Sequence, residues 1–245
     1  MSADEALTGR GGRFLTAEWR NLALLNYQMD PRLLQPFVPA GTELDLWNGR
    51  AFVSLVGFQF LNTRVFGIPI PFHRDFEEVN LRFYVRCREG REVRRGVTFI
   101  REIVPRPAIA AVARNLYNER YLSLRMSHAI ERDGQEMLVE YAWKYVDWST
   151  LSVSVSGEPS LPGEGSEEQF IAEHYWGYTA QRDGGTLQYR VDHPSWRVWK
   201  CRQARFNGNV EGLYGRDFAA ILQSQPTSAF LAEGSEVTVY KGRRL

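Results

Sequence analysis

The chain has 245 residues, of which 44% are hydrophobic, and this length is within the range of a single all-β domain. Thirty basic residues stand against 29 acidic ones, which gives a net charge of +1. This balance argues against a nucleic-acid or membrane partner reached by charge alone, so we expect neither.

The sequence shows no sign of export. Its first residues, MSADEALTGRGGRF, include no apolar stretch of the kind found in secretory signals. No run approaches the roughly 18 apolar residues needed to cross a bilayer. Cys87 and Cys201 are too few for a disulfide framework or a metal cluster. We therefore expect a cytoplasmic protein.

The chain is predicted to form one domain. Residues 1–12 are small and polar and are expected to be disordered. No repeat or boundary interrupts residues 13–245, which are expected to form a single unit.

The first half of this domain is predicted to consist mainly of strands. They are expected at Phe14–Gln28, Ala51–Leu61, Glu78–Val85 and Gly96–Ile103. Asp30 and Pro31 indicate the cap and first turn of a short helix. The sequence GIPIP at residues 67–71 predicts irregular structure, because two prolines cannot both donate within a ladder.

Between Pro107 and Tyr117 the spacing of apolar residues changes from the alternation of a strand to the period of a helix. Five residues there recur at helical spacing: Ile109, Val112, Ala113, Leu116 and Tyr117. This pattern is the strongest indication of a helix in the chain.

Strand alternation returns in the second half. Strands are expected at Tyr121–Ile130, Met137–Tyr145, Ser152–Ser156 and Glu236–Tyr240, and hairpin turns at 133–134, 183–185 and 207–209. A loop is expected at residues 158–165. Ser166 and Gln169 predict a capping box for a helix that ends near Tyr175, and a last helix is expected at residues 215–222.

Six segments in order along the chain resemble the YqjF-like family, also called domain-of-unknown-function family 2071. These segments are Leu34–Asp45, Ala51–Gly57, Phe76–Val85, Arg114–Met126, Glu168–Tyr175 and His193–Trp196. The family has no assigned function and belongs to the acetoacetate decarboxylase-like superfamily. The resemblance implies a mainly β, α+β fold: an antiparallel sheet curled into a cone-like barrel around an internal cavity, with a few short peripheral helices.

The chain lacks the lysine that gives this superfamily its best-known chemistry. In the decarboxylases an imine-forming lysine follows a helix, in a stretch resembling GRELWGFPKK. Laying Arg114 against the start of that stretch puts Tyr121 and Leu122 at the lysine positions. The chain has only three lysines, all elsewhere: Lys144, Lys200 and Lys241. We therefore reject decarboxylation through a Schiff base.

Two groups of residues are candidates for the site. Glu78, Asn80 and Arg82 share one face of a strand. The resemblance implies that Glu78 faces the cavity as an acid/base or orienting group, with Arg82 as an anchor for a carboxylate or phosphate. The alternative is an outer, solvated face on which Glu78 and Arg82 pair.

The second group surrounds the missing lysine. Arg114 and Tyr117 are candidate ligand-binding residues, although Arg114 can equally be solvated and Tyr117 can belong to the core. Tyr121 begins the next strand, and its hydroxyl is a candidate hydrogen-bond donor in catalysis.

Among the four histidines, His193 has the best functional claim, because Trp196 could form a wall beside it. His128 is expected in the core or cavity wall, His174 at a helix end where its charge suits the dipole, and His73 in a loop. No pair has zinc-ligand spacing, so no metal and no cofactor is expected.

Three functions are compared on the basis of these residues. The first is an enzyme, a lyase, hydratase or isomerase acting on a small keto or enol acid, with Glu78 and Tyr121 catalytic. The second is a non-catalytic protein that binds a small hydrophobic acid. The third is an interaction module, for which the sequence offers no exposed repeat. A homo-oligomer is left open.

Overall fold

The computed structural model of the chain describes residues 12–111, 118 and 120–245. The segment expected to be disordered lies outside these ranges except for residue 12. In the described residues strands dominate and helices are short, which confirms the predicted mainly β class.

The described residues form fifteen strands. These are β1 (Arg13–Met29), β2 (Glu43–Leu44), β3 (Ala51–Val65), β4 (Ile68–Pro69), β5 (Phe76–Glu89), β6 (Glu92–Val104), β7 (Tyr121–Ser123), β8 (Arg125–Asp133), β9 (Glu136–Lys144), β10 (Trp148–Ser156), β11 (Trp176–Ala180), β12 (Thr186–Asp192), β13 (Val198–Asn207), β14 (Ser228–Tyr240) and β15 (Arg243–Arg244).

The helices with full bounds are α1 (Pro31–Leu34), which continues into a 3-10 turn at Gln35–Phe37, then α2 (Glu167–Ala172), α3 (Glu211–Tyr214) and α4 (Arg216–Leu222). The predicted caps are present. Asp30 accepts a hydrogen bond from the backbone N–H of Arg32 at 2.9 Å, and the Ser166 hydroxyl accepts one from Gln169 at 3.1 Å. No described helix has the length and apolar character needed to span a membrane.

Seven strands form a ring. Each of β12, β11, β6, β5, β3, β1 and β14 pairs with the next, and β14 pairs back to β12 through Val191 with Val239 and Asp192 with Thr238. All these pairings are antiparallel except that of β6 with β11. From β14 the sheet continues through β13, β10 and β9 to β8. The expected curled antiparallel sheet is therefore confirmed.

The alternation of side chains in the ring strands divides the core in two. The outer core joins the outside of the ring to β9 and β10; its members include Leu25, Val53, Leu81, Phe83, Tyr141 and Leu151. The inner core lies inside the ring; its members include Leu22, Phe58, Phe76, Tyr84, Ile171 and Trp196. Gly57 permits the close approach of the two layers, because a Cβ at this position would lie 2.6 Å from the Tyr141 ring.

Two local predictions for strands were wrong. The strand expected at Tyr121–Ile130 is interrupted at Leu124, because β7 pairs with β6 in the ring whereas β8 pairs with β9. The chain therefore changes layers at this point. Residues 67–71 are not wholly irregular, because the two-residue strand β4 pairs with the end of β3. Pro69 is the last residue of this strand, so its missing N–H does not interrupt a longer ladder.

Two predicted ends also differ. Asn207–Asn209 leads from β13 into α3 and is not a hairpin turn, whereas the turn at residues 183–185 does join β11 to β12. The helix capped by Ser166 ends at Ala172 and not near Tyr175, since the chain must enter β11 at Trp176. Of the helix predicted over Pro107–Tyr117, residues 107–111 are helical, and the rest lies outside the described residues.

Candidate ligand-binding site

A cavity of about 340 Å³ lies inside the ring. Its walls are mostly aromatic and aliphatic and include Trp19, Phe58, Phe60, Phe76, Phe99 and Trp196. A few polar side chains interrupt this apolar lining. A predominantly apolar cavity with a few polar groups is typical of small-molecule sites, and the volume is near the lower end of their usual range.

Strand β5 supplies three of these polar side chains. Glu78, Asn80 and Arg82 all line the cavity, as expected from their shared strand face. Glu78 and Asn80 are only 3% and 2% exposed. Their neighbours Val79 and Leu81 point the other way, into the outer core. The alternative of a solvated outer face for these three residues is therefore wrong.

Two donors from the described part of the chain hold Glu78. The Asn80 side-chain amide donates to Glu78 Oε1 at 2.9 Å, and the Tyr121 hydroxyl donates to Glu78 Oε2 at 2.9 Å. Tyr121 reaches this carboxylate because β7 runs parallel to β6, with Tyr121 opposite Glu102. Tyr121, which the family resemblance aligns with the lost lysine, therefore helps to orient a cavity carboxylate.

A second carboxylate, Glu102, also lines the cavity and is 2% exposed. It lies opposite Asn80, while Phe99 lies opposite Arg82, because the β5–β6 register shifts between Leu81 and Arg82. This bulge turns both Phe99 and Glu102 towards the cavity, although regular alternation would separate them. Sequence reasoning missed Glu102; the adjacent charges Arg101 and Glu102 in an apolar strand were the available signal.

Arg82 differs from the two carboxylates in its surroundings. Its side chain is half-buried, and its Nε atom is buried without a hydrogen-bond partner. Within residues 12–111, 118 and 120–245, no carboxylate forms an ion pair with it. Its closest recorded contact is with the Tyr84 ring, whose centroid lies 5.8 Å from Cζ. The cavity wall therefore carries an arginine without a protein counter-charge in the described residues.

His193 and Trp196 both line the cavity. Their rings are stacked with centroids 4.0 Å apart, and Tyr175 packs on the imidazole with a centroid separation of 4.8 Å. His193 Nδ1 lies 2.9 Å from the Pro194 carbonyl, so Nδ1–H donates and Nε2 is left as an acceptor. Burial, with a further contribution from Arg82, lowers the pKa of His193, which favours the neutral ring.

The prediction for His174 was wrong. It is buried beside the cavity, and burial lowers its pKa to about 4, so it carries no charge to interact with a helix dipole at neutral pH. Its Nε2 lies 3.2 Å from Asp45 Oδ2, and Arg95 donates to the same oxygen at 2.6 Å. Because Asp45 is 129 positions away in the chain, no local pattern could have identified this contact.

His128 was also misplaced by the sequence prediction. It lies outside the cavity, with a side chain 36% exposed, and it contacts Glu77 at 2.6 Å and Gln59 at 2.9 Å. His73 lies in a loop, as expected, and reaches the lining of the cavity. The candidates Arg114 and Tyr117 lie outside the described residues. None of the three lysines lines the cavity.

The polar groups do not form a metal centre in the described residues, where no three His, Cys, Asp or Glu side chains converge. Among the described residues the cavity instead offers one arginine, Arg82, and two carboxylates, Glu78 and Glu102. Arg82 and Glu78 are four residues apart on β5, which places their Cα atoms roughly 13 Å apart. A small molecule could contact both groups at once.

Comparison with known sequences agrees with the family resemblance found in the sequence. The model of a family described as "Uncharacterized conserved protein", DUF2071, matches residues 16–236. A curated relative, "Uncharacterized protein YqjF" of Bacillus subtilis (strain 168), is 38% identical over 68 residues. That match spans 27% of this chain and 28% of the relative's length.

Solved structures extend the likeness to nearly the whole fold. Acetoacetate decarboxylase from Legionella pneumophila has a TM-score of 0.68 at 12% identity, with 96% of this chain and 88% of that chain covered. The enduracididine biosynthesis enzyme MppR has a TM-score of 0.67 at 14% identity, with the same coverage. An acetoacetate decarboxylase-like enzyme from Sphingomonas wittichii RW1 has a TM-score of 0.65 at 13% identity, covering 95% and 93%.

Proposed function

We propose that the cavity of this chain, which belongs to the DUF2071 family of uncharacterized conserved proteins, binds a small, largely apolar organic acid or keto acid through Arg82. The chain has the acetoacetate decarboxylase-like fold. In this proposal the anionic group lies against the guanidinium and the apolar part lies between the aromatic walls. Asn80 and the His193–Trp196 pair line the space around the bound molecule.

The observation that carries this proposal is the surroundings of Arg82. A half-buried guanidinium has lost part of its hydration, and this loss is costly unless a counter-charge or hydrogen bonds replace the water. The described residues supply neither to Nε. An anionic ligand would supply both, since a carboxylate can accept two parallel hydrogen bonds from arginine. The apolar lining would strengthen that pairing by excluding water.

We further propose that Glu78 exchanges a proton with the bound acid, with Tyr121 and Asn80 as positioning residues. A carboxylate with fixed orientation can remove a proton from carbon next to a carbonyl group and return it elsewhere. The chemistry would be that of an isomerase, hydratase or lyase without an imine. In support, MppR has been observed complexed with pyruvate and with the condensation product of pyruvate and imidazole 4-carboxaldehyde.

A second candidate is non-catalytic binding of the same class of acid. It is favoured by the strongly apolar lining and by the two hydrogen bonds that already engage both oxygens of Glu78. Under this alternative Glu78 and Tyr121 shape the cavity and take no part in proton transfer. Arg82 has the same role in both.

The binding proposal can be tested by calorimetric titration with phenylacetate, phenylpyruvate and the neutral isostere phenylacetamide. We expect the two anions to bind and the amide to bind at least tenfold more weakly, since one charged hydrogen-bonded contact contributes roughly 1.5–3 kcal/mol. Equal binding of phenylacetate and phenylacetamide would remove Arg82 as the anchor.

Proton transfer is tested by following deuterium incorporation into phenylpyruvate in heavy water by NMR. Catalysis predicts exchange next to the carbonyl group that is faster than in buffer and is lost in Glu78→Gln. Binding without faster exchange supports the non-catalytic alternative.

A further inference from the structure

The segment at residues 66–72, named the mouth loop, exposes a dense set of apolar side chains. Phe66 is 56% exposed, Ile68 63%, Ile70 37% and Phe72 89%. Leaving such side chains in water is unfavourable, and monomeric proteins seldom group them in one patch without a binding role.

The backbone holds this arrangement in place. Phe66 and Phe72, at the two ends of the mouth loop, both have positive φ, 51° and 62°, a conformation that bulky residues rarely adopt. The Phe66 N–H donates to the Phe14 carbonyl at 2.8 Å, and the His73 N–H donates to the Ile70 carbonyl at 3.1 Å. The exposed aromatic side chains are therefore presented by an ordered turn.

The mouth loop is continuous with the cavity. Ile70, Val65, Phe14 and His73 all belong to the cavity lining. The Phe14 and Phe66 rings touch edge to face with centroids 5.4 Å apart, which joins the exposed patch to the wall. An apolar surface therefore extends from the interior of the ring to solvent.

Cations lie beside the Phe66 end of the exposed patch. Lys241 Nζ lies 5.1 Å from the centroid of the Phe66 ring, and Arg64 pairs across the short hairpin with Pro69. Arg13, next to Phe14, is also exposed. None of these three cations forms an ion pair within the described part of the chain. The only acidic residue between positions 62 and 76 is Asp75, whose carboxylate accepts a hydrogen bond from the Asn62 N–H.

We propose that the mouth loop docks on an anionic lipid surface, so that apolar acids pass between the bilayer and the cavity. Exposed apolar side chains with cations beside them match the two layers of such a surface, acyl chains below anionic headgroups. The overall charge of +1 does not exclude this local arrangement, although charge balance alone predicts no membrane partner.

The charges also favour a lipid surface over a second copy of the chain. A two-fold interface centred on the mouth loop would bring Arg13, Arg64 and Lys241 of both copies together. Like charges facing each other across an interface oppose association. An anionic surface instead complements all three.

The test is flotation of the full chain with vesicles of phosphatidylcholine alone or mixed with phosphatidylglycerol. We expect binding to the anionic vesicles, weaker binding to the neutral ones and loss of binding as salt rises. Phe72→Ser should weaken binding roughly tenfold, the effect of removing one inserted aromatic side chain. Arg64→Gln and Lys241→Gln should each weaken it about fivefold.

Val146→Ser is the matched control, since Val146 is 72% exposed but lies in the turn between β9 and β10. It should leave vesicle binding unchanged, and all variants should keep the unfolding temperature of the parent. Absence of vesicle binding, or equal losses in Phe72→Ser and Val146→Ser, would overturn the proposal. So would a dimer in light scattering that Phe72→Ser converts to a monomer without any effect on vesicles. None of these results would alter the test of ligand binding by Arg82.

Discussion

The two faces of strand β5 differ in what their side chains do: one face packs in the outer core and the other lines the cavity. Val79, Leu81 and Phe83 are fully buried in the outer core, where apolar side chains from both layers fill the space between them. Glu78, Asn80 and Arg82 alternate with them and line a cavity. The same strand thus holds the fold together on one side and presents polar groups on the other. Adjacent substitutions should therefore have separable effects.

The largest effect is expected for Leu81→Ala. Leu81 is 0% exposed, and its removal leaves a cavity between two rigid layers. Loss of such a side chain costs roughly 2–5 kcal/mol of the free energy of unfolding. Urea unfolding measures this loss. A loss no larger than that of the adjacent cavity variant Asn80→Ala would break the distinction between the two faces.

The next effect concerns acid stability and rests on His174. Its pKa falls from 6.5 to about 4 on folding, mainly because of burial, with Arg95 and Arg82 also disfavouring the charged ring and Asp45 opposing them. The unfolded chain binds this proton at a higher pH than the folded chain does. The contribution of the neutral His174 to the free energy of unfolding should therefore be fully present above pH 6.5 and should be lost as the pH falls towards 4. The loss should reach roughly 3 kcal/mol.

The check is urea unfolding at a series of pH values, with His174→Asn as the comparison. Asp45, whose pKa is also lowered, contributes a loss only below the ordinary aspartate pKa of 3.8. Burial also lowers the pKa of His193, which titrates in the same range, so the variant should show a clearly smaller decline between pH 6.5 and 4 than the parent. If its decline matched that of the parent, the acid sensitivity would come from another group.

The alternation of core and cavity side chains along β5 was predictable from the sequence, because successive side chains of any strand point to opposite faces. The positions of Glu78, Asn80 and Arg82 in the cavity follow from it together with the family resemblance. Glu102 was missed because a bulge breaks the period, and the Asp45–His174 contact was missed because it joins distant segments. His128 was misplaced because the change of layers at Leu124 could not be foreseen from alternation.

A smaller effect is expected for Tyr121→Phe. The change removes the hydroxyl that donates to Glu78 at 2.9 Å and keeps the ring. Because this hydroxyl donates to Glu78, the free energy of unfolding should fall by about 0.5–1.5 kcal/mol, the contribution of one intramolecular hydrogen bond, and the affinity for phenylacetate should change little. Urea unfolding and calorimetry on the variant measure these two quantities. A loss of affinity as large as that expected for Arg82→Met would show that the tyrosine, and not the arginine, is the main anchor.

No covalent adduct is expected in a trapping experiment. The chain has three lysines, none of them in the cavity lining, so borohydride added with acetoacetate should leave the protein mass unchanged. Intact-mass spectrometry followed by peptide mapping is the measurement. A reduced adduct on Lys144 or Lys200 would show that an imine can form outside the cavity.

The measurement that tests the central claim most directly combines binding and unfolding of Arg82→Met. Methionine retains much of the arginine stem, and the guanidinium has no ion-pair partner in the described residues, so the free energy of unfolding should be nearly unchanged. The affinity for phenylacetate should fall by roughly 2–4 kcal/mol, with little change for phenylacetamide. Unchanged affinity for phenylacetate, or a fall that merely follows lost stability, would contradict the assignment of Arg82 to the ligand.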